Sequence, residues 1–113
     1  MSDDIQQILT ELRRQLKIVY TECLVTLLLF GSRARGDSQS GSDIDVLVVL
    51  KGDVHPGVEI KKTGSIVSAL SLRHDVVISL AFVASGRFTN ENSPLFLNIR
   101  REGIALRPPN NLH

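Results

Sequence analysis

Residues 23–50 read CLVTLLLFGSRARGDSQSGSDIDVLVVL, and the alternation of apolar and polar blocks within them decides the fold. Cys23 to Phe30 is too short and too continuously apolar for an amphipathic helix, so it is expected to be a buried strand. Gly31 to Gly41 is polar and glycine-rich, which breaks that strand. Ile44 to Leu50 is almost wholly β-branched or leucine and predicts a second strand.

Working outward, Ile5, Ile8, Leu9, Leu12, Leu16 and Val19 recur at helical spacing before the first strand. Ser2 suits the N-cap of that helix, and Asp3 and Asp4 suit the positive end of its dipole. Its other face, with Glu11, Arg13, Arg14 and Lys17, reads as solvated surface. Downstream, Lys51-Gly52-Asp53 ends the second strand. Pro56 opens a helix reaching to about Leu72, with Gly64 as a weak point inside it. Asp75 to Val83 reads as a third strand. Ser93 then caps a last helix, Pro94 takes its first position, and Gly103 suits a left-handed residue after its end. Ile104-Ala105-Leu106 can add a short edge strand before Pro108-Pro109 stops it. The expected fold class is α+β: one domain over 1–113, a small mixed sheet flanked by helices, with residues 107–113 a disordered tail.

Composition limits the function classes. The chain has 113 residues, 42% hydrophobic and 22% charged, with a net charge of +1. That suits one globular core and gives no reason to expect a nucleic-acid coat or an anionic membrane surface. The single Cys23 excludes an internal disulfide, points to a reducing compartment and is expected to be a buried thiol. The acidic start Met1-Ser2-Asp3-Asp4 is unlike a signal peptide. The longest apolar run, Leu24 to Phe30, falls far short of the roughly 20 residues that span a bilayer. A cytoplasmic protein is expected.

The chemistry concentrates between Gly31 and Asp45. A strand followed by Gly31-Ser32 and a short helical start leaves backbone N–H groups free to meet an anion, and Gly31 lets a phosphate approach closely. Ser32 adds a hydroxyl. Taken alone, such a pair is an ordinary turn. Asp43 and Asp45 change the balance, because residues two apart on a strand share a face, roughly 6.5–7 Å apart. Like charges so placed are tolerated mainly when a cation sits between them. The alternative is a solvated strand start in which Ser42 and Asp43 are turn residues. Asp75, at the start of the third strand, is expected beside the pair. Three converging carboxylates can hold two magnesium ions for in-line displacement at phosphorus, and one can help take a proton from an attacking hydroxyl. Asp75 can equally be a helix-to-strand turn residue.

Gly31-Ser32-Arg33-Ala34-Arg35-Gly36 followed by Ser42-Asp43-Ile44-Asp45-Val46 resembles the signature of the polymerase-beta-like nucleotidyltransferase superfamily, and most of all its small minimal nucleotidyltransferases. Asp75 and Arg101-Glu102-Gly103-Ile104 fit the same pattern. The resemblance implies a nucleotidyltransferase fold, with ATP as donor and Mg2+ as cofactor. It implies that Gly31 and Ser32 hold the triphosphate, and that Asp43, Asp45 and Asp75 hold two ions. Arg33 and Arg35 match positions near the phosphates or the acceptor, or are surface arginines on a short helix. Members of this size are often paired with a helical HEPN-type protein that can be a toxic ribonuclease. The nucleotidyltransferase then acts as antitoxin, adding AMP to a tyrosine of its partner. A second chain supplying the acceptor is therefore expected, and nucleic acid is not.

Two other readings stay open from the residues alone. One is an antitoxin that neutralises its partner by covering it, without catalysis. The other is transfer to a small molecule or an RNA end. His55, His74 and His113 match no zinc spacing. Lys61-Lys62 and Arg100-Arg101 read as solvated helix faces.

Overall fold

The computed structural model describes residues 3–35 and 43–106. Ser2, the segment 36–42 and the tail from residue 107, including His113, lie outside the described residues. Helix α1 (Asp3–Tyr20) buries the expected stripe, with Ile5, Ile8, Leu9, Leu12 and Leu16 all inaccessible or nearly so. Lys17 donates to the carbonyl of Thr21 at its C-terminal end, where cations meet the negative pole of the helix. A single 3-10 turn, Thr21–Cys23, then redirects the chain, with Thr21 at a φ of 50°.

Strand β1 (Leu24–Phe30) pairs antiparallel with β2 (Ile44–Leu50), Leu24 opposite Leu50 and Phe30 opposite Asp45. The four-residue helix α2 (Ser32–Arg35) starts one residue after β1. Helix α3 (Pro56–His74) carries the chain back so that β3 (Ile78–Ala84) lies parallel to β2. Short helix α4 (Ser85–Asn90) and helix α5 (Pro94–Glu102) follow, and β4 (Ile104–Ala105) closes the other edge against Leu28 and Leu29. The sheet order is β3-β2-β1-β4, a mixed sheet as expected.

Alternation on the strands divides the core in two. Leu27, Leu29, Ile44, Val46, Val48, Ile78 and Phe82 face α1 and α3. Leu47, Val49 and Val83 face Phe96 and Ile99 of α5, with Phe88 of α4 packed alongside. Ser93 caps α5 by accepting from the N–H of Phe96 at 3.3 Å, and Pro94 follows it, as predicted.

Several expectations are corrected. The third strand begins at Ile78, because α3 runs on to His74 and Asp75 takes the left-handed cap position, φ 53° and ψ 51°. Aspartate tolerates that conformation through its short polar side chain. Cys23 is exposed, since the turn at Thr21–Cys23 precedes the strand and carries the thiol outside the core. Helix α4 was not anticipated: Ser85-Gly86-Arg87-Phe88-Thr89-Asn90 has loop composition, and Phe88 secures it by packing edge-on against Phe96 at 5.6 Å. Gly103 is extended at φ −67°. A Cβ there would lie 2.6 Å from the Ile99 carbonyl oxygen, so close approach is what favours glycine. Arg100 is more than a solvated side chain, as it donates to the carbonyls of Phe88 and Glu91 and to Asn92 Oδ1.

Candidate active site

The glycine-rich turn and the acidic pair meet through strand pairing. Because Phe30 lies opposite Asp45, the next residue, Gly31, arrives beside the Asp45 side chain. Gly31 has a φ of 78°, a conformation open to glycine at little cost. A Cβ at Gly31 would stand 2.7 Å from Oδ2 of Asp45, closer than real Cβ atoms come. Glycine is thus favoured by the backbone conformation, and any side chain here would have to displace the Asp45 carboxylate. Its carbonyl accepts from the N–H of Ala34 at 3.1 Å, which closes the first turn of α2. Arg33 stands half-buried on that turn. The side chains of Ser32 and Arg35 lie outside what the structure describes.

Asp45 is half-buried near the start of β2, and Asp43, just before the strand, is exposed. Ile44 and Val46 between and beyond them are fully buried on the opposite face. Burial raises the Asp45 carboxyl above the ordinary carboxylate range, and the negative charge of Asp43 adds to that shift. The pair is therefore a partly desolvated, mutually repelling set of hard oxygen donors. Such a set suits a magnesium-class cation.

Asp75 is exposed at the cap of α3, three residues short of β3. It stands at the same end of the sheet, since the next residues reach Val77, whose carbonyl accepts from Ile44 N–H at 2.8 Å. The partner of Asp45 on β3 is Ser79. Among the described residues, no three His, Cys, Asp or Glu side chains gather closely enough to hold a metal ion. The turn-to-pair contact at Gly31 was not readable from spacing, because it depends on the register of β1 against β2.

Two clefts lie away from this site. One of about 190 Å3 runs between α1 and α3, lined by Glu11, Leu70 and Arg73, and another of about 290 Å3 runs along β1 and β4. Neither includes the carboxylates.

The fold and this constellation define a class. The model of the nucleotidyltransferase domain family matches residues 5–96, and the chain belongs to that family; it is a nucleotidyltransferase. Two proteins of Methanocaldococcus jannaschii, each named "putative protein adenylyltransferase", are similar in sequence. One is 36% identical over 76 residues, covering 67% of this chain and 76% of its own length. The other is 35% identical over 103 residues, covering 89% and 96%. Among solved structures, a toxin–antitoxin crystal structure with AMP-PNP shares the fold at a TM-score of 0.60 and 17% identity, over 96% of this chain and 76% of that one. An MNT antitoxin in complex with a tri-AMPylated HEPN toxin from Shewanella oneidensis shares it at a TM-score of 0.55 and 17% identity, over 92% and 73%. No helix among the described residues is long and apolar enough to cross a membrane.

Proposed function

We propose that this chain transfers AMP from ATP to a tyrosine hydroxyl of a helical HEPN-type toxin and thereby acts as its antitoxin. The observation that carries this reading is the contact between Gly31 and Asp45, which sets a phosphate-accepting turn against a carboxylate pair. The names of the relatives and the partners of the structural neighbours support the same donor and acceptor.

Gly31 and Ser32 hold the triphosphate, because the first N–H groups of α2 have no helical acceptor before them. Arg33 and Arg35 lie on the same short helix, α2, at whose start this reading places the phosphates. Asp43 and Asp45 would hold Mg2+, two ions on this reading, with Asp75 at the cap of α3 as the third carboxylate. Held there, the ion would supply positive charge to the phosphates and to the departing pyrophosphate. A free carboxylate oxygen of the set takes the proton from the attacking tyrosine hydroxyl. The new bond joins that oxygen to the α-phosphorus, and pyrophosphate leaves. The chain's own single tyrosine, Tyr20, is buried 6% exposed at the far end of the sheet, so the acceptor belongs to another molecule.

The test uses radiolabelled ATP, magnesium and a HEPN-type partner. Label on a partner tyrosine that disappears with Asp43→Asn plus Asp45→Asn is expected; label that survives the double change sinks the assignment. The separation of Asp75 from the pair favours a second reading, in which covering the partner suffices. Neutralisation that persists in the double-Asn chain without ATP identifies it.

A further inference from the structure

The two edges of the sheet are built differently. At one edge β4 is only Ile104–Ala105, and the N–H of Leu106 adds a last bond to the Leu27 carbonyl. Beyond it β1 carries a bulge, since Leu24 stands opposite Leu50 and Thr26 opposite Val49, and Arg13 lines the cleft beside Leu24–Leu27. The sequence continues with Pro108-Pro109, which have no N–H to give. A short strand, a bulge, a cation and prolines are devices that keep foreign strands off an edge. Strand β3, at the other edge, has none of them. Its residues Ile78-Ser79-Leu80-Ala81-Phe82-Val83-Ala84 include no charge and no proline. They hold one unbroken parallel register with β2, from Ile44 opposite Ile78 to Leu50 opposite Ala84. Among the described residues, no strand or turn hydrogen-bonds to the outer side of β3.

An uncovered ladder of this length is a template for another strand. The side chains decide which strand. Ser79 and Ala81 are exposed, and neither is large or charged enough to select a foreign sequence by a pocket or an ion pair. A copy of the same strand fits. Antiparallel pairing centred on Ala81 sets Ala81 against Ala81 and Ser79 against Val83, so small side chains meet at the two-fold axis. Charge permits it as well. Exposed Arg73 and Asp75 precede the strand, and Arg87 with its partner Glu91 follows it, so each end offers both signs to the opposed end of the other copy. We propose that β3 is a homodimer edge, along which two copies of this chain join their sheets into one. The axis runs perpendicular to the sheet, so both acidic pairs stay open on the same face, at opposite ends. The dimer stands whether or not the chain transfers a nucleotide.

Ala81→Lys and Ala81→Glu test the axis, because a charge there faces its own copy directly. Ala105→Lys, at an exposed residue of the opposite edge, is the control. Sedimentation equilibrium of the full chain, without nucleotide or partner, is expected to show a dimer. Each Ala81 variant should raise the dimer Kd roughly tenfold or more, as like charges opposed across an interface do, and Ala105→Lys should match the wild type. An equimolar mixture of the two Ala81 variants should recover the dimer. In a Cys23→Ser background, Ala81→Cys should couple two chains through a short bismaleimide, which reads the axis without adding charge. A monomeric wild type, a dimer that Ala81→Lys leaves intact, or a mixture that stays monomeric overturns the proposal. So does a dimer weakened equally by Ala105→Lys. A monomeric wild type that loses binding to a HEPN-type protein on Ala81→Lys assigns the edge to a foreign strand, which also overturns it. Where circular dichroism shows a charged variant unfolded, the coupling decides, and its absence overturns the homodimer.

Discussion

At the Leu24–Leu50 end of the sheet, Glu59 is 7% exposed and accepts a 2.8 Å hydrogen bond from the Tyr20 hydroxyl, with Lys62 Nζ 3.8 Å away. At the Phe30–Asp45 end, Asp45 is half-buried and its strongest charged influence is another carboxylate, Asp43. Both ends withdraw an acid from water. One surrounds it with a donor and a cation, as buried structural acids require. The other sets like charge beside it and leaves the face open. Lys62 also lies 5.2 Å over the Tyr20 ring, so the lysine expected to be mere solvated surface belongs to the structural cluster. The difference separates an acid satisfied by partners within the fold from an acid left partly desolvated beside like charge.

The largest effect expected from breaking this contrast is loss of transfer with gain of stability at one site. Asp43→Asn with Asp45→Asn should lower transfer by at least about a thousandfold, the scale on which charge stabilisation at a reacting centre operates. The same change should raise the melting temperature in metal-free buffer near neutral pH. The sign follows from the raised Asp45 pKa. A raised value means the folded state holds its proton more tightly, so that contribution to stability is full below the ordinary carboxylate range and lost as pH rises through the folded value. At neutral pH the ionised group is a cost that asparagine removes. A melting temperature that falls in the double variant breaks the comparison. Magnesium should raise the melting temperature of the wild type and leave the variant unmoved.

Two glycines sharpen it next. Gly31 and Gly52 have nearly the same positive φ, 78° and 76°, but a Cβ on Gly52 meets nothing within 4 Å. Gly52→Ala should therefore cost only backbone strain, about 1 kcal/mol, and leave transfer intact. Gly31→Ala carries that strain and drives a methyl into Asp45 Oδ2. Transfer should fall roughly a hundredfold, as displacing a reactive group by about 1 Å can do. Equal activity of the two variants would show that the Gly31–Asp45 contact has no functional weight.

Tyr20→Phe acts at the other end. It removes the hydroxyl donor and leaves Glu59 buried with its weaker lysine contact, at a cost of about 1–3 kcal/mol. Thermal denaturation should fall by several degrees while transfer at assay temperature holds.

What the sequence made legible follows from period and punctuation. The α1 stripe, both central strands and the Ser93-Pro94 start of α5 are repeats or stops that single residues enforce. Asp43 and Asp45 were readable as neighbours from their spacing, although only Asp45 stands on β2 and Asp43 just precedes it. Asp75 was not placed correctly, since His74-Asp75-Val76-Val77 is compatible with either a helix end or a strand start. The outcome is fixed by α3 packing Leu70 into the core and extending to His74. Helix α4 is six residues whose order comes from Phe88 against Phe96 and from Arg100 gripping its carbonyls, contacts between separate segments. The position of Ser79 beside Asp45 required the parallel register of β2 with β3, which no local pattern contains.

The smallest predicted effect concerns alkaline pH and isolates the structural end of the comparison. Burial, then the hydrogen bond to Glu59, then the Glu59 charge all raise the Tyr20 pKa above its ordinary value of 10.0. The neutral phenol is thus favoured in the folded state. Its contribution to stability is complete below pH 10.0 and is lost as pH rises through the range above it, because the unfolded chain releases the proton first. Tyr20 is the only tyrosine, and the chain has no tryptophan, so the tyrosinate absorbance of the whole protein reports this one group. Titration of the folded chain should show little phenolate until unfolding begins, and the two transitions should coincide. In Glu59→Gln the charge is gone while an amide oxygen can still accept from the hydroxyl, so phenolate should appear at lower pH than in the wild type. Phenolate that appears near pH 10 in the intact wild-type fold would mean that Glu59 does not hold the Tyr20 proton. The contrast between the two carboxylates would then lose its structural half.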